Sequence, residues 1–348
     1  MKTDYIIVGC GLAGIAFCEE LKANNKTFFV FDNNSQTSSS VAGGLYNPVI
    51  LNRFTKVWRS REQLDLALPK YKILENKLNN RLDYSIPINR LFHYEKEQKT
   101  WLKALKKPEL AEFMSVDFKP NTNANINAPL GFGEVLHTGR IDTKTLVLKY
   151  KKQLKDNQLF STELFEYNSI INNKNSVTYK DIEAKHIVFA EGYGLKENPF
   201  FNNLPLDGLK GEYITVKAPD LNLTKIIKSS IFIIPLGNDL YRIGATFEKV
   251  EKTNTITESR KLELVEKLAK ITSAKFDVVN HTAGIRPTVI DHKPLVGQHK
   301  THKNYYVLNG LGARGVMIAP YVAKALFNLI ENNIALNLEI NSNRFNKV

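Results

Sequence analysis

Cysteine is nearly absent: the 348-residue chain carries two, Cys10 and Cys18. A disulfide framework needs more, and their spacing is neither a redox CxxC nor a zinc-binding pattern. Both fall in the first strand–helix unit, where a small apolar side chain packs well, so core packing is expected of them. The seven histidines (His93, His137, His186, His281, His292, His299 and His302) are scattered without HExxH or comparable ligand spacing, so no metal site is expected. No GxSxG elbow and no P-loop occurs, which removes the nucleophile-elbow hydrolase and nucleoside-triphosphatase readings. No apolar stretch approaches the roughly 18 residues of a membrane helix. Met1-Lys2-Thr3-Asp4 runs straight into an apolar strand with no signal-peptide core. The expectation is a cytoplasmic protein with no membrane partner.

What is present is an ordinary folded composition, 43% hydrophobic and 24% charged, long enough for two lobes with their own cores. The net charge of +13 would suit an anionic partner such as RNA or a negatively charged substrate. The chain is rich in Lys and Asn throughout while Arg, the better phosphate reader, is scarce beside Lys. Composition bias is therefore the competing reading.

Tyr5-Ile6-Ile7-Val8 is a continuous apolar run, the pattern of a strand buried on both faces of a parallel sheet. Gly9-Cys10-Gly11-Leu12-Ala13-Gly14 follows at once, then an amphipathic helix from Ile15 to Asn24, then a second buried strand from Thr27 to Phe31 ending in Asp32-Asn33. Gly9 permits the tight turn, Gly11 lets a pyrophosphate approach the backbone, and Gly14 lets the helix pack close to the strand. The helix N-terminus offers free N–H groups and partial positive charge to phosphates. Asp32 lies 18 residues after Gly14, where a ribose-binding carboxylate belongs; it would repel a 2′-phosphate, which disfavours NADP. A tight turn without a ligand is the bland alternative.

The first unit alone does not separate NAD from FAD. Ser38-Ser39-Ser40-Val41-Ala42-Gly43-Gly44-Leu45-Tyr46 forms a small-residue loop able to wrap a second part of a long cofactor. Far downstream come Thr282-Ala283-Gly284-Ile285-Arg286-Pro287, then Asp291-His292-Lys293-Pro294-Leu295-Val296-Gly297. The strand Tyr305-Tyr306-Val307-Leu308 leads to Asn309-Gly310-Leu311-Gly312-Ala313-Arg314-Gly315 and a helix expected from about Pro320 to Glu331. With Gly139-Arg140-Ile141-Asp142, Ile187-Val188-Phe189-Ala190-Glu191-Gly192 and Leu209-Lys210-Gly211-Glu212, the chain resembles, almost end to end, the FAD-dependent oxidases of the D-amino acid oxidase and glycine oxidase type.

That resemblance implies a mixed α/β fold, a Rossmann-type FAD-binding domain joined to a discontinuous antiparallel-sheet substrate domain. The chain would cross between lobes several times: 1–83, 137–208 and 284–348 in the FAD lobe, 84–136 and 209–283 in the substrate lobe. It implies noncovalent FAD held by Gly9, Gly11, Leu12, Ala13, Gly14, Asp32, Asn33, Ser39, Ser40, Gly44, Leu45, Tyr46, Phe165, Gly192, Gly310, Gly312, Ala313, Arg314, Gly315, Val316 and Met317. The last Gly-rich turn would aim its helix dipole at the flavin edge that becomes negative on reduction. The implied activity is oxidation of a C–N bond in a small amine or amino acid, by hydride transfer to flavin N5, with oxygen as the usual acceptor.

In such enzymes an Arg grips the substrate carboxylate bidentately, and Arg286 matches it; a structural pairing with Asp or Glu is the alternative. Two departures matter. Phe232 stands where glycine oxidases carry a substrate-binding Tyr, and their second substrate-contacting Arg falls opposite Ala313, with Arg314 one residue on. A site lacking a donor built for one small polar substrate serves another. Locally, residues 312–320 are similar to the oxidase domain of the bifunctional enzymes that finish 5-aminomethyl modification of tRNA wobble uridine. A carboxymethylaminomethyl group on tRNA is thus the alternative substrate. Arg53, Lys56, Arg59 and Arg61 would then track phosphates, or else form a solvated face. A third reading is a flavin-binding scaffold without catalysis. Structural hydrogen bonding is expected of His281 and His292, which flank Arg286. Phe232 and Tyr241 are expected near the inner face of the substrate sheet, and Pro120 to Pro129 is expected as an exposed loop.

Overall fold

The strand Lys2–Val8 is apolar in every position from Tyr5 on, and Tyr5, Ile6 and Ile7 are wholly buried. Such a strand needs cover on both faces, and a parallel sheet supplies it. In the computed structural model, which describes residues 1–345, Lys2–Val8 is the middle of that sheet. Phe28–Phe31 lies parallel on one side and Ile182–Phe189 parallel on the other. Phe160–Ser161 extends one edge; Tyr305–Asn309 pairs parallel with the C-terminal half of Ile182–Phe189. The N-terminal half of that same strand instead carries an antiparallel hairpin, Ile170–Asn172 and Val177–Tyr179.

Helices Leu12–Ala23, Ser60–Leu78, Thr143–Asp156 and Gly315–Asn332 contribute buried faces to the main core. Asp142 caps the third of these, its side chain accepting the Thr145 N–H at 3.1 Å, which is why Gly139-Arg140-Ile141-Asp142 reads as a helix start. The last helix begins at Gly315, five residues before the expected start at Pro320. Pro320 is therefore interior, and it cannot donate to the Val316 carbonyl one turn back. The Tyr71 hydroxyl donates to that carbonyl at 2.8 Å and replaces the missing bond.

The second sheet has eight strands in the order Asp277–Val289, Leu206–Lys217, Leu240–Gly244, Phe232–Gly237, Ile226–Lys228, Ile88–Leu91, Phe132–Val135, Met114–Lys119. Every pairing is antiparallel except Ile226–Lys228 with Ile88–Leu91. Leu206–Lys217 and Asp277–Val289 run unbroken through 208/209 and 283/284; the chain enters this sheet from Phe189 through residues 190–205 and leaves it toward Leu295 through residues 290–294. Helix Glu258–Ala269 covers the far face, with Leu264 and Leu268 in the core there.

Two expectations are corrected on that far face. Tyr241 is buried in this core and accepts the Leu223 N–H at 3.2 Å; strand alternation turns it away from the face Phe232 shares. The Asn-rich stretch is more than an exposed loop. Asn123 and Asn125 donate to the Leu221 and Asp220 carbonyls, at 2.7 Å each, and Ile126 and Ala128 are buried.

Candidate active site

A cavity of about 860 Å³ is lined from both sheets, toward the upper end of the ~300–1,000 Å³ usual for small-molecule sites. Its floor is the fingerprint turn. Gly9 has φ +99°, and a Cβ there would sit 2.5 Å from the Ala190 carbonyl oxygen, so only glycine fits. Gly14 does not line the cavity; a Cβ on it would meet the Gly9 oxygen at 2.0 Å, the close helix–strand packing expected of it. The helix has no side-chain cap from Gly11. Ser39 Oγ accepts the Leu12 N–H at 3.0 Å, leaving first-turn donors at Ala13 and Gly14 without an intrahelical partner.

The opposite wall is a second helix N-terminus. Gly312, Ala313, Arg314, Gly315 and Val316 line the cavity, and the helix they begin has no side-chain cap. The two N-termini nearly touch: a Cβ on Gly315 would lie 3.1 Å from Leu12 Cδ1. Segments from opposite ends of the chain thus aim two positive dipole ends into one space. Between the sheets sits the small-residue loop. Thr37 donates to the Ala283 carbonyl at 3.1 Å, Arg242 donates to the Ala42 carbonyl at 2.9 Å, and Val41 packs where a Cβ on Gly284 would be.

Asp32 lines the cavity beside Asn33 but is already engaged. It accepts the Cys10 and Asn34 N–H groups at 2.5 and 2.7 Å and the Lys151 ammonium at 2.8 Å. Lys151 was not visible as a partner because it lies on a distant helix. Ser39, Gly44, Leu45, Phe165 and Gly192 also line the space, whereas Ser40, Tyr46, Gly310 and Met317 stand behind it. Ser40 donates to the Thr37 carbonyl, Tyr46 donates to Asp83, and Met317 sulfur accepts the Asn47 N–H. A Cβ on Gly310 would meet Val289 at 2.5 Å. The glycine cradle, two helix ends with free first-turn N–H groups and an acid at the strand terminus fit a dinucleotide. Cys10 and Cys18 are buried free thiols; burial pushes Cys10 up to about 12, so neither is a nucleophile.

Phe232, Tyr213, Phe247 and Arg286 also line the cavity. Gly211 makes room for the Arg286 guanidinium, since a Cβ there would fall 2.0 Å from Nη2. Among the described residues no carboxylate pairs with Arg286 or Arg314, although burial lowers the Arg314 pKa. Arg286 has only a long contact of 3.5 Å to the Leu209 carbonyl and the Phe247 ring at 5.2 Å. His281 Nε2 lies 2.8 Å from Glu212 Oε2 but outside hydrogen-bond geometry, and His292 occupies an exposed turn; neither lines the cavity. Arg59 pairs with Glu62, and Arg61 with Glu112 and Asp65, away from the cavity.

Glu191, Lys228 and Arg90 are among the charged groups of the lining that sequence reading overlooked. Glu191 accepts from Tyr167 and Asn198 at 2.6 and 2.8 Å, and burial still pushes it up to about 7. Lys228 and Arg90 line the far end. Their strands lacked a local motif, so only the sheet register could reveal them.

Comparison with known proteins agrees with this geometry. The FAD dependent oxidoreductase (DAO) family profile matches residues 4–329. Glycine oxidase of Bacillus subtilis is 24% identical over 95% of this chain and 94% of its own length. The tRNA 5-methylaminomethyl-2-thiouridine biosynthesis bifunctional protein MnmC of Shewanella halifaxensis is 26% identical over 41% of this chain, a match spanning 28% of that longer protein. The crystal structure of glycine oxidase from Geobacillus kaustophilus superposes with a TM-score of 0.81 over 97% of both chains, at 18% identity, and so shares the fold. With nearly the whole chain matched and the cradle in place, the protein belongs to the FAD dependent oxidoreductase family.

Proposed function

We propose that this oxidoreductase oxidises the C–N bond of a carboxylate-bearing amine or amino acid. The observation that carries the reading is the pair Arg286 and Arg314, both lining the cavity and neither matched by a carboxylate among the described residues. Guanidinium groups held this way invite an anion, since an unpaired buried charge is costly. FAD, when bound, supplies the hydride acceptor at N5. Gly9, Gly11 and the Leu12–Ala23 N-terminus would hold its pyrophosphate, with Asp32 at the ribose. The N-terminus of Gly315–Asn332 would face the edge that gains negative charge.

The chain's own residues then have a positioning task. Arg286 would fix the substrate carboxylate, bidentate and planar. Phe232 and Tyr213 would exclude water and set the reacting carbon against the flavin. An amine bound neutral needs little further acid–base help. Oxygen as acceptor, a cytoplasmic location and the lobe division 1–83, 137–208 and 284–348 against 84–136 and 209–283 belong to the same reading. The partial likeness to MnmC and the net charge of +13 favour one alternative, the same chemistry on a carboxymethylaminomethyl group of tRNA.

The test is steady-state turnover of amines with and without a carboxylate. Carboxylated amines are expected to be turned over, and Arg286→Gln is expected to lower their kcat/KM about 100-fold, the loss of two charge-assisted hydrogen bonds. Equal turnover of amines lacking a carboxylate, or an unaffected Arg286→Gln, overturns the reading.

A further inference from the structure

Lys228 belongs to neither glycine-rich turn and lies on a different strand from Arg286, yet it lines the same cavity. It is only 9% exposed, and among the described residues its ammonium meets no carboxylate; it donates to the Ser229 carbonyl and lies 5.0 Å from the Phe232 ring centroid. The charges that bear on it, Arg90 and Lys267, are cationic. Arg90 stands opposite on the neighbouring strand, and His93 Nε2 is 2.8 Å from Ser229 Oγ. Arg90 spends part of its guanidinium on Glu97 at 2.6 Å and on the Leu91 carbonyl, but its Nε is buried without a partner. Burial, then Arg90 and Lys267, hold Lys228 down to about 8, the sign of a cation that lacks its anion.

Sheet register explains how this end communicates with the flavin side. Tyr213, Gly244, Phe232, Lys228 and Arg90 lie directly opposite one another on five successive strands, and all five line the cavity. At about 4.8 Å per strand, Lys228 is roughly 14 Å from Tyr213, with Phe232 between them. The Arg286 guanidinium lies over Gly211, two residues from Tyr213 on the same strand. One track thus has a cation at each end and an aromatic middle. His93 is exposed, so the far end opens to solvent.

We propose that Lys228, Arg90, His93 and Ser229 form a second anion subsite, and that the substrate is an elongated amine whose arm remote from the Arg286-bound carboxylate ends in a carboxylate or phosphate. The inference rests on the C–N oxidation reading above. A chain-end anion there would neutralise Lys228 and satisfy Arg90 Nε, while Phe232 packs on the connecting carbons.

The test compares three probes on the FAD-loaded protein: N-hexylglycine, N-(5-carboxypentyl)glycine and N-(5-phosphonopentyl)glycine. At least one acidic arm is expected to raise kcat/KM tenfold or more over the hexyl arm, and the better of the two identifies carboxylate or phosphate as the anion. Lys228→Met removes an unpaired buried ion, so the fold should survive, with flavin content as the control. The variant is expected to erase that preference. Isothermal titration with pimelate, which holds no amine to oxidise, is expected to show binding at least tenfold weaker in Lys228→Met. Indifference to the arm's charge, or a preference that survives in Lys228→Met, overturns the subsite. So does a tRNA complex that depends on Lys228 while the glycines are not distinguished. Should no amine reduce the flavin at all, the oxidation reading fails, and the pimelate comparison alone still decides the subsite.

Discussion

Gly9 and Glu191 face each other across the fingerprint turn, and each carries a test. A Cβ on Gly9 would collide with the Ala190 carbonyl at 2.5 Å from a left-handed backbone, so Gly9→Ala must displace one of two strands. Its expected effect is loss of FAD affinity of tenfold or more, read as flavin content after purification and by titration; a fully yellow Gly9→Ala contradicts the cradle. Glu191 titrates near 7 against an ordinary 4.5 because burial outweighs the Asn198 and Tyr167 hydrogen bonds. Between those values the folded chain holds a proton that the unfolded chain has released, so stability falls as pH rises from 4.5 to 7, and the cost is complete above 7. Glu191→Gln stays neutral, and the Tyr167 hydroxyl can turn to accept from it. The variant is expected to gain Tm relative to wild type at pH 8 and to lose that gain by pH 4.5. A difference independent of pH would show that the carboxyl is not displaced.

At the scale of elements, two side chains repair what the backbone cannot do alone. Tyr71 substitutes for the hydrogen bond that Pro320 denies to Val316. Tyr71→Phe leaves that buried carbonyl unpaired and is expected to cost about 1–3 kcal/mol in urea unfolding; no change would mean that the helix needs no repair. Lys210 and Glu212 are both buried within the long strand Leu206–Lys217, at 3.3 Å, with Glu251 joining Lys210 and Thr257 donating to Glu212 at 2.8 Å. They fasten the segment between Gly244 and the Glu258–Ala269 helix to the sheet. Lys210→Met leaves Glu212 deprived of its cation, with an expected loss of about 3–5 kcal/mol by denaturant titration. The sequence foretold most elements because their hydrophobic periods are local. It misplaced the last helix start because proline normally marks a first turn, and the compensating tyrosine lies on another helix. It turned Tyr241 the wrong way because alternation gives a strand two faces without saying which one faces a ligand.

Across the whole molecule, the cavity residues that sit in contiguous motifs were legible and those joined only by register were not. Gly9, Gly11, Asp32 and Gly312 to Val316 are contiguous motifs whose spacing carries their chemistry, and all of them line the cavity. Arg286 and Phe232 were readable through resemblance, and they line it too. Lys228 and Arg90 were not, since they become neighbours only through strand register. Lys151 reaches Asp32 from a separate helix in the same way. The central claim is that this cavity holds FAD next to an amine gripped by its carboxylate. Its most direct measurement is anaerobic mixing of the FAD-loaded protein with carboxylated amines while flavin absorbance is followed. The account predicts bleaching of the oxidised flavin band by at least one such amine, slowed about 100-fold in Arg286→Gln at subsaturating amine. A flavin that stays oxidised with every carboxylated amine, or bleaches equally fast without Arg286, would contradict it.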